Sequence, residues 1–227
     1  MIYAVFFDVD FTLIYPGPAF QGEGYRDFCA RYGMTVEPDR FTAAVNSASH
    51  ILDREQDAVY DPQIFIDYTA HIIRQMGGTG DAVEPCAEEI YREWAACQHF
   101  LLYEDVAETL HILAERNLQI GLISNSHRCL ESFQEHFELD NFIDVAISSS
   151  QHGYMKPHPS IFEAALKLAG VSASEAVMVG DSVTQDIDGA RRVGMRGVLV
   201  RRSGATSDTL AADVPTIRSL LELPRLL

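Results

Sequence analysis

The sequence predicts an α/β protein: a parallel β-sheet with helices on both faces, into which a bundle of about four helices is inserted directly after the first strand. Three observations predict it. From residue 101 onward, short apolar β-branched runs alternate with amphipathic helical stretches, the pattern of a parallel sheet buried on both faces. A similar run, residues 3 to 8, stands by itself at the start of the chain. Between the two, from about residue 20 to about residue 98, the apolar residues take helical spacing and no convincing strand occurs.

The elements follow in order. The stretch "AVFFDVDFTLI", residues 4 to 14, is an apolar strand that runs into two aspartates, Asp8 and Asp10. "YPGPAFQGEGY" is rich in Pro and Gly and reads as a loop or hinge. Helices are predicted in "YRDFCARYG", "DRFTAAVNSASHILDRE", "DPQIFIDYTAHIIRQMGG" and "EPCAEEIYREWAAC", with Asp or Pro at starts and Gly at stops. Helix "EDVAETLHILAERN", strand "LQIGLIS", helix "RCLESFQEHF" and strand "DVAISS" come next. They are followed by helix "PSIFEAALKLAG", strand "AVMVG", helix "VTQDIDGARRVG" and strand "RGVLV". The tail "VPTIRSLLELPRLL" reads as a short edge strand and a last helix. The expected domains are a core made of residues 1–15 and 101–227 and a helical lobe of residues 16–100.

Composition narrows the partners. With 47% hydrophobic and 22% charged residues, the chain of 227 residues can bury a core and fold alone. Its 33 acidic against 17 basic residues give a net charge of −16, which repels phosphate backbones and anionic membrane surfaces, so neither nucleic acid nor membrane is an expected partner. A small anionic substrate would meet the same field and would need local cations or a metal to be held. Cys29, Cys86, Cys97 and Cys129 form no CxxC pair and read as reduced thiols in or near a core, not as a zinc site or disulfide framework. The start "MIYAVFFDVD" has no leader pattern and no apolar run approaches a membrane span, so the expected location is the cytoplasm. A monomer or homodimer is expected.

The chemistry is placed by the strand ends. Ligands of an open parallel sheet bind beyond the carboxyl ends of its strands. The first predicted strand ends at Asp8, the second at Ser124 and Asn125, the third is followed by Lys156 in "GYMKPHPSIF", and the fourth runs into "GDSVTQD" with Asp181 and Asp186. Taken singly, each has an ordinary explanation as a turn former, helix cap or solvated cation. Their order and their placement at successive strand ends set them apart. Carboxylates gathered at one edge repel one another unless a cation lies among them, and oxygen-only ligands point to a hard ion, Mg²⁺.

In this order "DVDFT", "ISN", "KPHPSIF" and "GDSVTQD" resemble the four motifs of the haloacid dehalogenase-like (HAD) hydrolase superfamily. The resemblance implies a Rossmann-like core, with the helical insert as a cap that closes over the site and "YPGPAFQGEGY" as flap and hinge. It implies that Asp8 is a nucleophile forming an aspartyl-phosphate, and that Asp10 is general acid for the leaving oxygen and then general base for water. Ser124 would hydrogen-bond the phosphoryl oxygens together with main-chain amides near Val9, Asp10 and Asn125, and Lys156 would neutralise Asp8 and the transferring group. Asp181 would ligate Mg²⁺ with the Asp8 carboxylate and the Asp10 main-chain carbonyl, while Asp186 would act through water or by orienting Lys156. The implied activity is Mg²⁺-dependent hydrolysis of a small phosphorylated metabolite, a phosphate monoester.

A phosphomutase and a non-catalytic binding or regulatory member remain alternatives. Dehalogenases of the superfamily lack the acid at Asp10, and a phosphonate hydrolase would want a cap lysine, of which none stands between Thr12 and Leu101. Phe11 occupies the place where the family usually has Gly, which could change the local turn or fill the cleft, although Thr12 and Leu13 are retained. His50, His71, Arg54 and Tyr15 could contact a leaving group, although for each an exposed or packed helix position is the favoured explanation.

Overall fold

The computed structural model describes residues 1–52, 59–202 and 213–227. Met1–Tyr15 together with Leu102–Leu227 form one compact unit, and Pro16–Leu101 form a second. The chain opens with β1 (Ala4–Phe7), every residue of which is buried, and turns back into β2 (Ile14–Pro16).

Among the described residues four α-helices build the second unit: α1 (Gly22–Arg31), α2 (Phe41–Leu52), α3 (Pro62–Gln75) and α4 (Val83–Glu93). The start of α3 is written locally, because Asp61 accepts from the Gln63 N–H and Pro62 takes the first helical position, where its missing N–H costs nothing. Val83, Cys86, Ala87 and Ile90 of α4 are buried at the spacing of one helical face, and α3 buries Ile64, Thr69, Ala70, Ile72 and Ile73. The stretch predicted as a loop or hinge is more ordered than its Pro and Gly content suggests. It contains β2, a 3₁₀ turn at Pro18–Phe20 and the start of α1 at Gly22. Phe20 anchors it, with its ring 4.6 Å from Trp94 and 5.4 Å from Phe100. β2 pairs with β3 (Phe100–Leu102), a two-stranded sheet of three-residue strands that no local pattern announces.

The first unit continues with α5 (Val106–Glu115), β4 (Gln119–Ser124), α6 (Leu130–His136), β5 (Val145–Ser148) and α7 (Ser149–His152). After these come α8 (Pro159–Ala169), β6 (Ala176–Gly180), α9 (Gly189–Arg192), β7 (Arg196–Val200) and β8 (Thr216–Ile217). The sheet order is β5-β4-β1-β6-β7-β8 and each pairing is parallel, the α/β arrangement the sequence predicts. Phe7 pairs with Leu122 of β4 on one side and Val179 of β6 on the other. The chain leaves β1 in one direction through β4 and β5 and returns on the other side through β6, which makes β1 the point where the winding reverses. Both faces are covered. Ala4, Phe6, Ile123 and Met178 share one cluster with Ile161 and Phe162 of α8, while Val5, Phe7, Leu122 and Val179 of the opposite face are also buried.

Two predicted helices differ in kind. "VTQDIDGARRVG" forms a π-helix over Val183–Asp188 before α9 begins, with the Ile187 N–H reaching back to the Ser182 carbonyl at 3.3 Å. The wider turn lets Asp186 bend its carboxylate back onto the Ser182 N–H at 3.0 Å. The last helix is a 3₁₀ segment, Leu220–Arg225, with Pro224 within it.

Cys29, Cys86 and Cys97 are buried thiols, whereas Cys129 is exposed. Among the described residues no helix is long and apolar enough to cross a membrane.

The start of α8 positions the loop that carries Lys156. His158 is its N-cap: Nδ1 accepts from the Ser160 N–H at 3.2 Å and lies 2.7 Å from Ser160 Oγ, which in turn lies 2.8 Å from His152 Nε2. Only a ring without a proton on Nδ1 can accept in this way. His158→Ala is expected to lower stability by about 1 kcal/mol in urea unfolding, and His158→Asp, which supplies an ordinary capping oxygen, to retain it.

Candidate active site

Successive strand ends bring the charges together. Lys156 Nζ lies 2.6 Å from Asp8 Oδ1, just beyond β1, and 2.6 Å from Asp186 Oδ1, in the π-helix after β6. The lysine side chain is 1% exposed, so the two carboxylates rather than water hold its charge. Carboxylate oxygens of Asp8, Asp181 and Asp186 lie within 4.8 Å of one another. Gly180, the last residue of β6, makes this possible, because a Cβ there would stand 2.2 Å from the Asp186 carboxyl carbon.

Asp10 arrives through a tight turn in which Leu13 and Ile14 donate to the Val9 carbonyl at 2.9 and 3.1 Å and Phe11 donates to Ile14 at 2.7 Å. Phe11 takes a left-handed φ of 65°, a conformation glycine adopts freely and a phenylalanine adopts at a cost on the order of 1 kcal/mol. The turn is thus kept without Gly, and the Phe11 side chain does not enter the core: the residue is 45% exposed. At the end of β4, Ser124 is buried with its Oγ 2.9 Å from Ser126 Oγ. Asn125 clips the Lys156 main chain in both directions, donating to its carbonyl at 2.9 Å and accepting from its N–H at 2.7 Å.

The acids answer to this crowding. Burial pushes the Asp181 pKa well above the usual carboxylate range, and the like charges of Asp8 and Asp186 add to the rise. Burial also pushes Asp186 up to about 6, against the pull of Lys156. Burial by itself would lower the Lys156 pKa, but Asp186 and Asp8 outweigh it and hold the ammonium above its ordinary range. Asp10 is raised by burial, with Arg128 pulling against the rise and Asp8 adding to it. Three carboxylates against one ammonium leave an excess of negative charge that a cation would cancel, and the donors are all oxygen.

Sequence reasoning missed three arginines. Arg128 Nη1 lies 3.1 Å from each Asp10 oxygen. Arg202 grips both oxygens of Asp105 at 2.7 and 2.6 Å, donates to the Thr12 carbonyl at 2.6 Å and lies 4.0 Å over the Tyr103 ring, which ties the turn after Asp10 to the end of β7. Arg201 donates to the Asp181 carbonyl at 2.6 Å. The available signal was the one already used for the acids, a position just past a strand end. Of the other candidates, Tyr15 packs on Tyr103 with centroids 4.8 Å apart. His71 meets Ser47 Oγ at 2.9 Å and the exposed His50 ring edge-on within the helical unit, and Arg54 lies outside the described residues.

Known proteins resemble this chain over most of its length. The family model described as haloacid dehalogenase-like hydrolase matches residues 2–194. The chain is 32% identical to haloacid dehalogenase-like hydrolase domain-containing protein 3 of Bos taurus over 73% of this chain and 66% of that protein. It is 30% identical to N-acylneuraminate-9-phosphatase of Homo sapiens over 99% of this chain and 93% of that protein. The crystal structure of a HAD phosphatase from Thermococcus onnurineus superposes with a TM-score of 0.67 at 26% identity, covering 99% of this chain and 97% of the other. Sheet order, strand-end residues and a family match over nearly the full chain lead to one conclusion: the chain belongs to the haloacid dehalogenase-like hydrolase family.

Proposed function

We propose that the protein is a Mg²⁺-dependent phosphatase that cleaves a small phosphate monoester through an aspartyl-phosphate on Asp8. The observation that carries this reading is the buried Asp8–Lys156–Asp186 arrangement with Asp181 beside it, at the carboxyl edge of the sheet. A phosphatase among the relatives, N-acylneuraminate-9-phosphatase, supports the choice of a phosphate ester.

In the proposed reaction the Asp8 carboxylate attacks phosphorus as the bond to the leaving oxygen breaks, and Asp10 delivers a proton to that oxygen. Water then attacks the phosphorus of the aspartyl-phosphate, Asp10 takes its proton, and phosphate departs with Asp8 regenerated. Lys156 neutralises charge on Asp8 and on the transferring group, and Ser124 donates to a phosphoryl oxygen. The raised pKa of Asp10 suits a group that must carry a proton near neutrality. Asp8, Asp181, Asp186 and the Asp10 main-chain carbonyl would hold Mg²⁺, which when bound supplies further positive charge to the phosphoryl group. The helical unit, Pro16–Leu101, is assigned the role of cap, and with it the choice of leaving group.

Phosphate release from a panel of phosphorylated metabolites tests the reading. Release is expected with Mg²⁺, with a loss of at least about 100-fold on chelation and recovery on adding Mg²⁺ back. A folded, Mg²⁺-binding protein that releases no phosphate from the panel would overturn it, and isomerised phosphates in place of free phosphate would show a mutase.

A further inference from the structure

Arg128 heads the largest fully buried side chains, ahead of every phenylalanine among the described residues. A guanidinium keeps its charge at any pH a protein meets, so burying it is costly unless a carboxylate receives it. Here the Asp10 carboxylate does so, with Nη1 equidistant from its two oxygens at 3.1 Å. The two residues are 118 positions apart in the chain, yet they follow β1 and β4, which are hydrogen-bonded neighbours in the sheet. The pairing therefore joins the segments that follow two adjacent strands. It is also directional: the Arg128 side chain is 0% exposed and that of Asp10 is 18%, so the arginine holds the carboxylate from the protein side and leaves its other side open.

We propose that Arg128 is a positioning residue for Asp10, holding both carboxylate oxygens so that the acid meets the leaving oxygen, and later water, from one fixed orientation. This rests on the reading of Asp10 as proton donor and acceptor. Proton transfer needs heavy atoms about 2.6–3.2 Å apart, and a misplacement of about 1 Å can cost on the order of 100-fold in rate. An aspartate on a turn has two side-chain torsions to restrain, and Arg128 restrains both. The loop after β4 then has two tasks, presenting Ser124 to the phosphoryl group and Arg128 to the acid.

The test compares kcat/KM, which reports transfer to Asp8, for an aryl phosphate whose leaving group departs without a proton and an alkyl phosphate whose leaving group needs one. Asp10→Asn is expected to lower the alkyl value on the order of 100-fold or more and the aryl value far less. Arg128→Met should reproduce that selectivity, with an alkyl loss at least about tenfold greater than the aryl loss. Added to Asp10→Asn, it should cost less than about threefold more, because the two residues act as one unit. Arg128→Lys, which keeps the charge but carries it on a shorter side chain that cannot bring a nitrogen to the Nη1 position between the two Asp10 oxygens, should fall between.

Equal losses on both esters in Arg128→Met, beside a selective Asp10→Asn, would overturn the inference and leave the reading of Asp10 standing; Arg128 would then act on the phosphoryl group or on the fold. An unselective Asp10→Asn would remove the reading itself, and the inference with it. If Arg128→Met does not fold, as judged by circular dichroism, Arg128→Lys decides. An unchanged alkyl-to-aryl ratio in that variant would overturn the proposal.

Discussion

Replacing Asp8 by asparagine is expected to reduce phosphate release by on the order of 10⁴-fold or more, to the level of the uncatalysed background. The amide matches the carboxylate in shape but cannot form the acyl phosphate. The fold should survive, because Lys156 keeps Asp186 as its partner at 2.6 Å and one of three mutually repelling carboxylates is gone. Two measurements check the result together: steady-state phosphate release, and trapping of labelled phosphate on the protein after rapid acid quench. The native protein should carry label on Asp8, and Asp8→Asn should carry none. Substantial turnover in Asp8→Asn would remove Asp8 as nucleophile, whatever the metal requirement.

Lys156→Met is expected to have the largest effect on stability as well as a severe effect on activity. It leaves buried Asp8 and Asp186, with the partly buried Asp181 beside them, without the ammonium that pairs them, and breaking a buried pair in this way costs about 3–5 kcal/mol. The cost should depend on pH in a definite direction. Asp186 binds its proton more tightly in the folded state, with a pKa of about 6 against an ordinary 3.8, so its contribution to stability is present below about pH 4 and lost as pH rises through about 6. Asp181 is shifted in the same direction. Removing Lys156 takes away a charge that pulls both acids down, so the loss should extend to higher pH. The metal-free variant should therefore be least stable relative to the native protein near pH 8, with the deficit shrinking near pH 5. Urea unfolding at the two pH values reads this directly, and added Mg²⁺ should recover part of the deficit at pH 8. An equal deficit at both pH values would show that Lys156 contributes through packing and not through charge.

The sheet was legible because its inner strands lie between covered faces and read as apolar runs such as "AVFF" or "AVMVG". The site was legible for a related reason: in a parallel sheet every strand ends at the same edge, so Asp8, Ser124, Asp181 and the lysine after the third predicted strand could be assigned to one edge from order alone. The four helices of the insert were legible from their spacing and from caps such as Asp61 and Pro62. These are local signals, set by burial period and by the chemistry of chain ends and turns.

What remained hidden depends on residues far apart in the chain. β2 and β3 are too short to have a pattern of their own and exist because they pair with each other. The π-turn at Val183–Asp188 looks like an ordinary helix start until Lys156 and the Ser182 N–H are in place to receive the Asp186 carboxylate. Arg128 and Arg202 gain their partners only in the fold, which sets one against Asp10 and the other against Asp105 and Thr12. Sequence by itself determined which strands are covered and which charged groups reach their common edge, because periodicity and strand order encode both. The tertiary structure alone decided how those charges are paired, because the energy of a buried ion depends on which opposite charge the fold brings within about 3 Å of it.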